Sequence, residues 1–210
     1  MQLTISPFER TRRPPDRAPV LTAHDVFSAE ECDAILRLAD TFEVVPAAPS
    51  YDATSLTELT DRKGTARWLP DGERTRWIYE RFDAVAVAAN QTYGFDLTEI
   101  EPLQLSRYGI GDHFGTHTDF GFVHASRQLS ASIQLTASDA YEGGDLEFVG
   151  AHFDVGDGHT RAAWDRVQGR GDRALGSVVI FPAWLAHRVT PVTRGVRHSL
   201  VAWVRGVPYG

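Results

Sequence analysis

The 210-residue chain carries 28 Asp and Glu against 21 Lys and Arg, and its net charge of -7 argues against a nucleic-acid partner held through the phosphate backbone. A hydrophobic share of 42% and a charged share of 23% are ordinary for a globular protein with a sizeable core, so one domain over 1–210 is expected. Cys32 is the single cysteine, which excludes an internal disulfide framework; with neither a secretory leader nor an apolar run of bilayer length, the chain reads as cytoplasmic, with no membrane association.

Residues 1–22, with Pro7, Pro14, Pro15 and Pro19 among arginines, read as an extended arm, and 23–95 as helical support with a long loop. Ser28-Ala29-Glu30-Glu31 forms a capping box that starts a helix, with Phe27 placed to staple against Cys32. Cys32, Ile35, Leu36 and Ala39 then mark one apolar stripe, so Cys32 is core rather than nucleophile. Residues 46–66 are polar and bracketed by Pro46, Pro49 and Gly64; a loop of that length suits a lid as well as a plain surface segment. A second helix is expected from about Glu73 to Gln91, burying Ile78, Phe82, Val85 and Ala89.

From residue 96 to 210 the pattern changes to short alternating segments separated by glycine-bearing turns. In 102–109, Leu103 and Leu105 oppose Gln104, Ser106 and Tyr108; in 129–136, Leu129, Ala131, Ile133 and Leu135 oppose Ser130, Ser132, Gln134 and Thr136. Gly143-Gly144 reads as a hairpin turn leading into a strand, and 150–173 as a polar, glycine-bearing loop between two barrel strands. The expected fold is α+β: a jelly-roll (double-stranded β-helix) core with N-terminal packing helices and a polar face turned into the lumen.

The segment HFGTHTD, residues 113–119, is too glycine-rich for a helix, and in an extended chain His117 and Asp119 project from one face. His113, His124, His152 and His159 are assigned to loops or the surface. A third ligand must come from a distant strand, and His187 is the best candidate. Val192 lies midway between His187 and Arg197, so a symmetric hairpin would make those two cross-strand partners, with Ser199 on the same face. Two histidines and a carboxylate on one face of a metal leave the opposite positions open, which suits non-haem Fe(II). Arg197 beside it supplies a guanidinium fork for a carboxylate.

Four segments, LQLSRYGIGDHFGTHTD, YEGGDLEF, FPAWLAHRVTPVTRG and RHSLVAWVRG, together resemble the Fe(II)- and 2-oxoglutarate-dependent dioxygenases, in their prolyl 4-hydroxylase-like branch. The resemblance implies His117, Asp119 and His187 as iron ligands and Arg197 as the group holding the distal carboxylate of 2-oxoglutarate. It places Tyr108 near the cosubstrate and Ser199 in an Arg-x-Ser arrangement with Arg197; Gln104 and Ser132 are weaker cosubstrate candidates as polar lumen residues. The implied reaction uses O2, converts 2-oxoglutarate to succinate and CO2, and hydroxylates an unactivated C–H bond of an amino acid, a peptidyl residue or a small natural product. Ascorbate would serve as a reductant, and the protein would act as a monomer or homodimer. Two other readings use the same residues: a cupin-like metalloenzyme without 2-oxoglutarate, and a non-catalytic barrel that binds a small acid.

Overall fold

The computed structural model describes residues 2–5, 20–47, 61–121, 124–156 and 159–207, with 2–5, 151–156 and 159–165 described as backbone only. In chain order the elements are β1 (Gln2–Ile5), β2 (Leu21–His24), α1 (Ala29–Ala39), β3 (Val45–Pro46), β4 (Arg62–Lys63), β5 (Thr65–Leu69), α2 (Arg76–Tyr93) and β6 (Leu97–Ile100). There follow β7 (Leu103–Tyr108), β8 (His113–His117), β9 (Arg127–Gln134), β10 (Glu142–Gly143), β11 (Leu146–Gly156) and β12 (His159–Arg170). The chain ends with β13 (Val178–Pro182), β14 (His187–Val189), β15 (Val192–Arg194) and β16 (Arg197–Gly206).

Both helices form for the reasons their sequences give. The Glu31 amide donates to the Ser28 hydroxyl at 3.2 Å and the Ser28 amide donates to the Glu31 carboxylate at 2.8 Å, so the capping box is closed in both directions. Cys32, Ile35 and Ala39 are buried under α1, and burial pushes the Cys32 thiol up to about 11, as befits core rather than nucleophile. Helix α2 buries Ile78, Phe82, Val85 and Ala89 and stops at Gly94, whose φ of 70° is left-handed.

The large sheet runs β1-β2-β13-β9-β16-β7-β5-β3, with β6 also on β16; the smaller one runs β12-β11-β14-β8-β4. Helices α1 and α2 pack on the outer face of the large sheet, against Leu103, Leu105, Ile133, Ile180 and Leu200. Its inner face is polar and looks at the smaller sheet, and every residue of β9 is buried on one side or the other. The alternation in 129–136 thus separates a hydrocarbon core from a polar lumen. One end of that lumen is braced by Glu101, a buried carboxylate that accepts a bidentate pair from Arg127 at 2.9 and 2.6 Å and a further bond from Arg205 at 2.9 Å. Burial pushes the Glu101 carboxyl up, but the two guanidinium groups outweigh it and hold it below the usual range.

Four expectations are corrected. His187 and Arg197 do not face each other in a hairpin: β14 pairs with β8 and β11 in the smaller sheet, whereas β16 pairs with β6, β7 and β9 in the large one. The chain crosses between sheets through β15, which pairs with β10. For that reason Gly143 and Gly144, with φ of 68° and 61°, make a turn that leads into β11 without making a β10–β11 hairpin. The segment 150–173 is mostly the long antiparallel ladder of β11 and β12 rather than a loop, because its polar residues occupy an extended pairing that the glycines interrupt only as register shifts. Within 46–66, β4 adds to β8 and Thr65 and Ala66 open β5, whereas 48–60, the centre of the expected lid, lies outside the described residues. The first 95 residues thus contribute strands to both sheets as well as helices, and Gln2–Ile5 of the expected arm pairs with β2.

Candidate metal centre

Cross-strand pairing sets the first two donors side by side: His187 of β14 is the register partner of His117 of β8. Asp119 lies just past β8, where its amide donates to the Ala183 carbonyl at 2.9 Å. The ligand atoms of His117, Asp119 and His187 lie within 4.8 Å of one another, and all three residues are buried. His117 Nε2 is 3.8 Å and His187 Nε2 is 3.5 Å from the Asp119 carboxylate.

Hydrogen bonding fixes how these groups present themselves. His117 Nδ1 is 2.8 Å from the Gly115 carbonyl, and His187 Nδ1 is 2.8 Å from the Leu185 carbonyl. A carbonyl can only accept, so each Nδ1 carries a proton and each Nε2 is the ring nitrogen turned toward the centre. The Ser130 hydroxyl donates to Asp119 Oδ2 at 2.7 Å. Burial, then the neighbouring His187, pulls the His117 pKa down to about 3, so its imidazole is neutral. Burial works against the Asp119 carboxylate, but the two histidines and Ser130 more than offset it and its pKa lies below the usual range. A buried carboxylate whose ion-pair partners among the described residues are two histidines, one of them neutral, suits a divalent cation. The donor set fits Fe(II).

The Arg197 end of the same cleft is built by the large sheet. Arg197 is 2% exposed and donates to the Ser199 hydroxyl at 3.2 Å, the Ser132 hydroxyl at 3.4 Å and the Gln134 amide oxygen at 3.1 Å. These are neutral partners, so among the described residues no carboxylate balances the buried guanidinium. Tyr108 is the register partner of Arg197 and its ring centroid is 5.8 Å from the guanidinium carbon. Both ends open into one cleft.

The eight residues singled out from the sequence therefore share one cleft, although they divide within it. His117, Asp119 and His187 form one cluster, and Arg197 with Tyr108, Ser132 and Ser199 another. Gln104 lies apart from the guanidinium of Arg197, accepting from Arg62 at 2.8 Å and from Ser106 at 3.3 Å. His113 is no ligand: Nε2 contacts the Asp61 carboxylate at 2.9 Å and Nδ1 the Gly111 carbonyl at 3.2 Å.

Four contributors escaped the sequence reading. Ser130 and Gln134 belong to the alternating polar face of 129–136, and that alternation was the available signal. Arg62 enters from β4, inside the expected loop, with its guanidinium 4.3 Å over the Phe114 ring, which stacks on His117 at 3.6 Å between centroids. No local pattern marks either Arg62 or Phe114. Replacing Ser130 by alanine removes the bond that orients Asp119, and iron affinity is expected to fall roughly 10–100-fold, measured by chelator competition. An unchanged affinity would show that Asp119 needs no such orientation.

A jelly roll with two histidines and a carboxylate between its sheets defines a class, the non-haem iron enzymes with one open coordination face. Residues 103–205 match the model of the 2OG-Fe(II) oxygenase superfamily. A PKHD-type hydroxylase of Burkholderia lata is 30% identical over 186 residues, 81% of this chain and 74% of its own. Another from Synechococcus is 26% identical over 199 residues, 90% of this chain and 79% of its own. A prolyl-4-hydroxylase of Pseudomonas putida superposes with a TM-score of 0.63 at 20% identity, covering 91% of this chain and 94% of that one, a likeness of fold. The chain belongs to the 2OG-Fe(II) oxygenase superfamily. It is a 2-oxoglutarate-dependent dioxygenase whose cofactors are Fe(II), 2-oxoglutarate and O2. Membership decides for the oxygenase over the cupin-like and non-catalytic readings. Among the described residues no helix is long and apolar enough to cross a membrane.

Proposed function

We propose that His117, Asp119 and His187 hold the iron and that Arg197 grips the distal carboxylate of 2-oxoglutarate, in an enzyme that hydroxylates an unactivated C–H bond of an amino acid, a peptidyl residue or a small natural product. The observation that carries this reading is the pairing, in one cleft, of a buried two-histidine, one-carboxylate cluster with a buried arginine whose described partners are neutral. The relatives named as PKHD-type and prolyl hydroxylases support a hydroxylation outcome.

The protein's own contribution is positional. His117 and His187 present Nε2 to the centre because their Nδ1 protons are tied to backbone carbonyls. Ser130 holds Asp119 in one rotamer. Arg197 and the Ser199 hydroxyl draw one end of the diacid away from the metal, so its other end is directed toward the triad, while Tyr108 and Ser132 flank it. The inner faces of both sheets exclude water around these groups. When bound, the metal supplies the redox chemistry by which substrate, 2-oxoglutarate and O2 become hydroxylated substrate, succinate and CO2. The enzyme is assigned, as a single domain acting as monomer or homodimer, to the cytoplasm, with ascorbate as a reductant and a small molecule or peptide rather than a nucleic acid as substrate.

The test needs no substrate. Anaerobic addition of Fe(II) and 2-oxoglutarate to the apoprotein is expected to give the visible charge-transfer band of a metal-chelated 2-oxo acid. Iron binding without that band would overturn the reading of the cosubstrate site.

A further inference from the structure

The two histidines of the metal centre are held differently, and the difference begins in β8. Phe114 and His117 stand three apart, so a regular strand would turn them to opposite faces. Both are buried, and their rings stack at 3.6 Å between centroids with 17° between planes. A bulge makes this possible. His117 is the register partner of His187 and Phe114 that of Val189, so three steps along β8 answer two along β14, with the extra residue at Gly115-Thr116.

The backbone of the bulge is used in both directions. The Gly115 carbonyl accepts from His117 Nδ1 at 2.8 Å, and the Gly115 amide donates to the Asp61 carbonyl at 2.8 Å. The second bond seats β4, whose Arg62 is the register partner of Phe114. The Arg62 guanidinium lies 4.3 Å over the Phe114 ring. An imidazole at 3.6 Å and a guanidinium at 4.3 Å cannot share one face of a benzene ring, so Phe114 is sandwiched between them. Arg62 is anchored in turn on β7 of the large sheet, donating to the Gln104 amide oxygen at 2.8 Å and the Ser106 hydroxyl at 3.3 Å.

A flat contact matters to a metal ligand because the ring plane is otherwise loosely set. The χ2 torsion of histidine is broad, and one bond to Nδ1 leaves the ring free to rock about it. His187 meets Phe181 edge-on, at 4.7 Å and 65°. Of the two ligands, His117 is the one pressed flat against a neighbour that is itself pinned from behind.

We propose that Phe114, clamped by Arg62, is a positioning residue for the metal: it fixes the plane of the His117 imidazole so that Nε2 faces Asp119 and His187. Both side chains act through His117. This rests on the proposed iron ligands.

Two substitutions separate orientation from packing. Phe114→Leu keeps an apolar group in the cluster of Tyr108, Val189 and Val192 but removes the flat face. Arg62→Met keeps a long side chain but removes the cation and its bonds to β7. In each, Fe(II) affinity measured by chelator competition is expected to fall roughly 10–100-fold, the loss typical of a ligand deprived of its orienting partner. A second readout follows the imidazole itself. In protein labelled with ¹⁵N-histidine and loaded with Zn(II), the two Nδ1 protons are assigned by their nuclear Overhauser contacts to Gly115 and Leu185. The His117 proton is expected to exchange faster with water in both variants, while that of His187 keeps its wild-type rate. Should Phe114→Leu not fold, Arg62→Met, changed at a half-buried position, carries the same two readouts. A variant folded by far-UV circular dichroism that loses thermal stability alone, with both readouts at wild-type values, would make the stack a matter of packing and overturn the proposal. Equal acceleration at His117 and His187 would also overturn it, because general loosening would then be the cause. Wild-type protein that binds neither Fe(II) nor Zn(II) would instead sink the metal reading on which this one stands.

Discussion

Replacing His187 by alanine is expected to abolish the Fe(II)–2-oxoglutarate band and to weaken iron binding by well over the roughly 10–100-fold that loss of an orienting partner alone produces. His187 is one of three donors, and its removal leaves His117 and Asp119 with a gap toward Phe181, whose ring lies 4.7 Å away. Because the imidazole is held by local contacts, chiefly its bond to the Leu185 carbonyl, the variant should fold. Chelator competition with Fe(II), run beside far-UV circular dichroism, separates loss of the ligand from loss of the fold. Wild-type iron affinity in the folded variant would remove His187 from the metal site.

Arg197→Ala should leave iron binding nearly intact while weakening 2-oxoglutarate. The guanidinium is buried beside Ser132, Gln134 and Ser199, where a charge-assisted fork to a carboxylate is poorly screened. Truncating one partner of a buried hydrogen-bonded charge pair costs about 2–5 kcal/mol, which corresponds to roughly a 30- to 5,000-fold rise in the 2-oxoglutarate dissociation constant. Titration of the charge-transfer band measures this directly. Arg197→Lys should fall between the two, since lysine keeps the charge but not the planar fork. A 2-oxoglutarate affinity equal to wild type in Arg197→Ala would show that the diacid is anchored elsewhere, with Arg62 the next cation lining the cleft.

What could be read from the sequence was whatever depends on local period and spacing. The helices followed from a capping box and an apolar stripe, and the polar lumen from the alternation of 129–136. The H-x-D step placed His117 and Asp119 together by strand alternation, and they do converge although Asp119 lies just past the end of β8. His187 was legible only in combination with that step, and Arg197 as a cosubstrate anchor only through the family resemblance. The hairpin argument joining His187 to Arg197 was wrong in its pairing, although both residues line the same cleft. They do so from opposite sheets, because strand pairing is decided by long-range contacts that a count about Val192 cannot see. Arg62 and Phe114 stayed silent for the same reason. Each is an unremarkable residue until β4 and β8 are brought around a common space.

The crossing of the chain between the two sheets has a mechanical consequence. With two of its proposed iron donors, His117 and His187, on one jaw and the diacid anchor on the other, the protein is a caliper whose gap must match the length of a five-carbon diacid. Residues behind the cleft wall, such as Phe148 packed on Phe181 between the jaws at 4.9 Å, then help set the calibration. Affinity for diacids one carbon shorter or longer becomes a gauge of the spacing between the sheets, and repacking the hydrocarbon between them a means of resetting it.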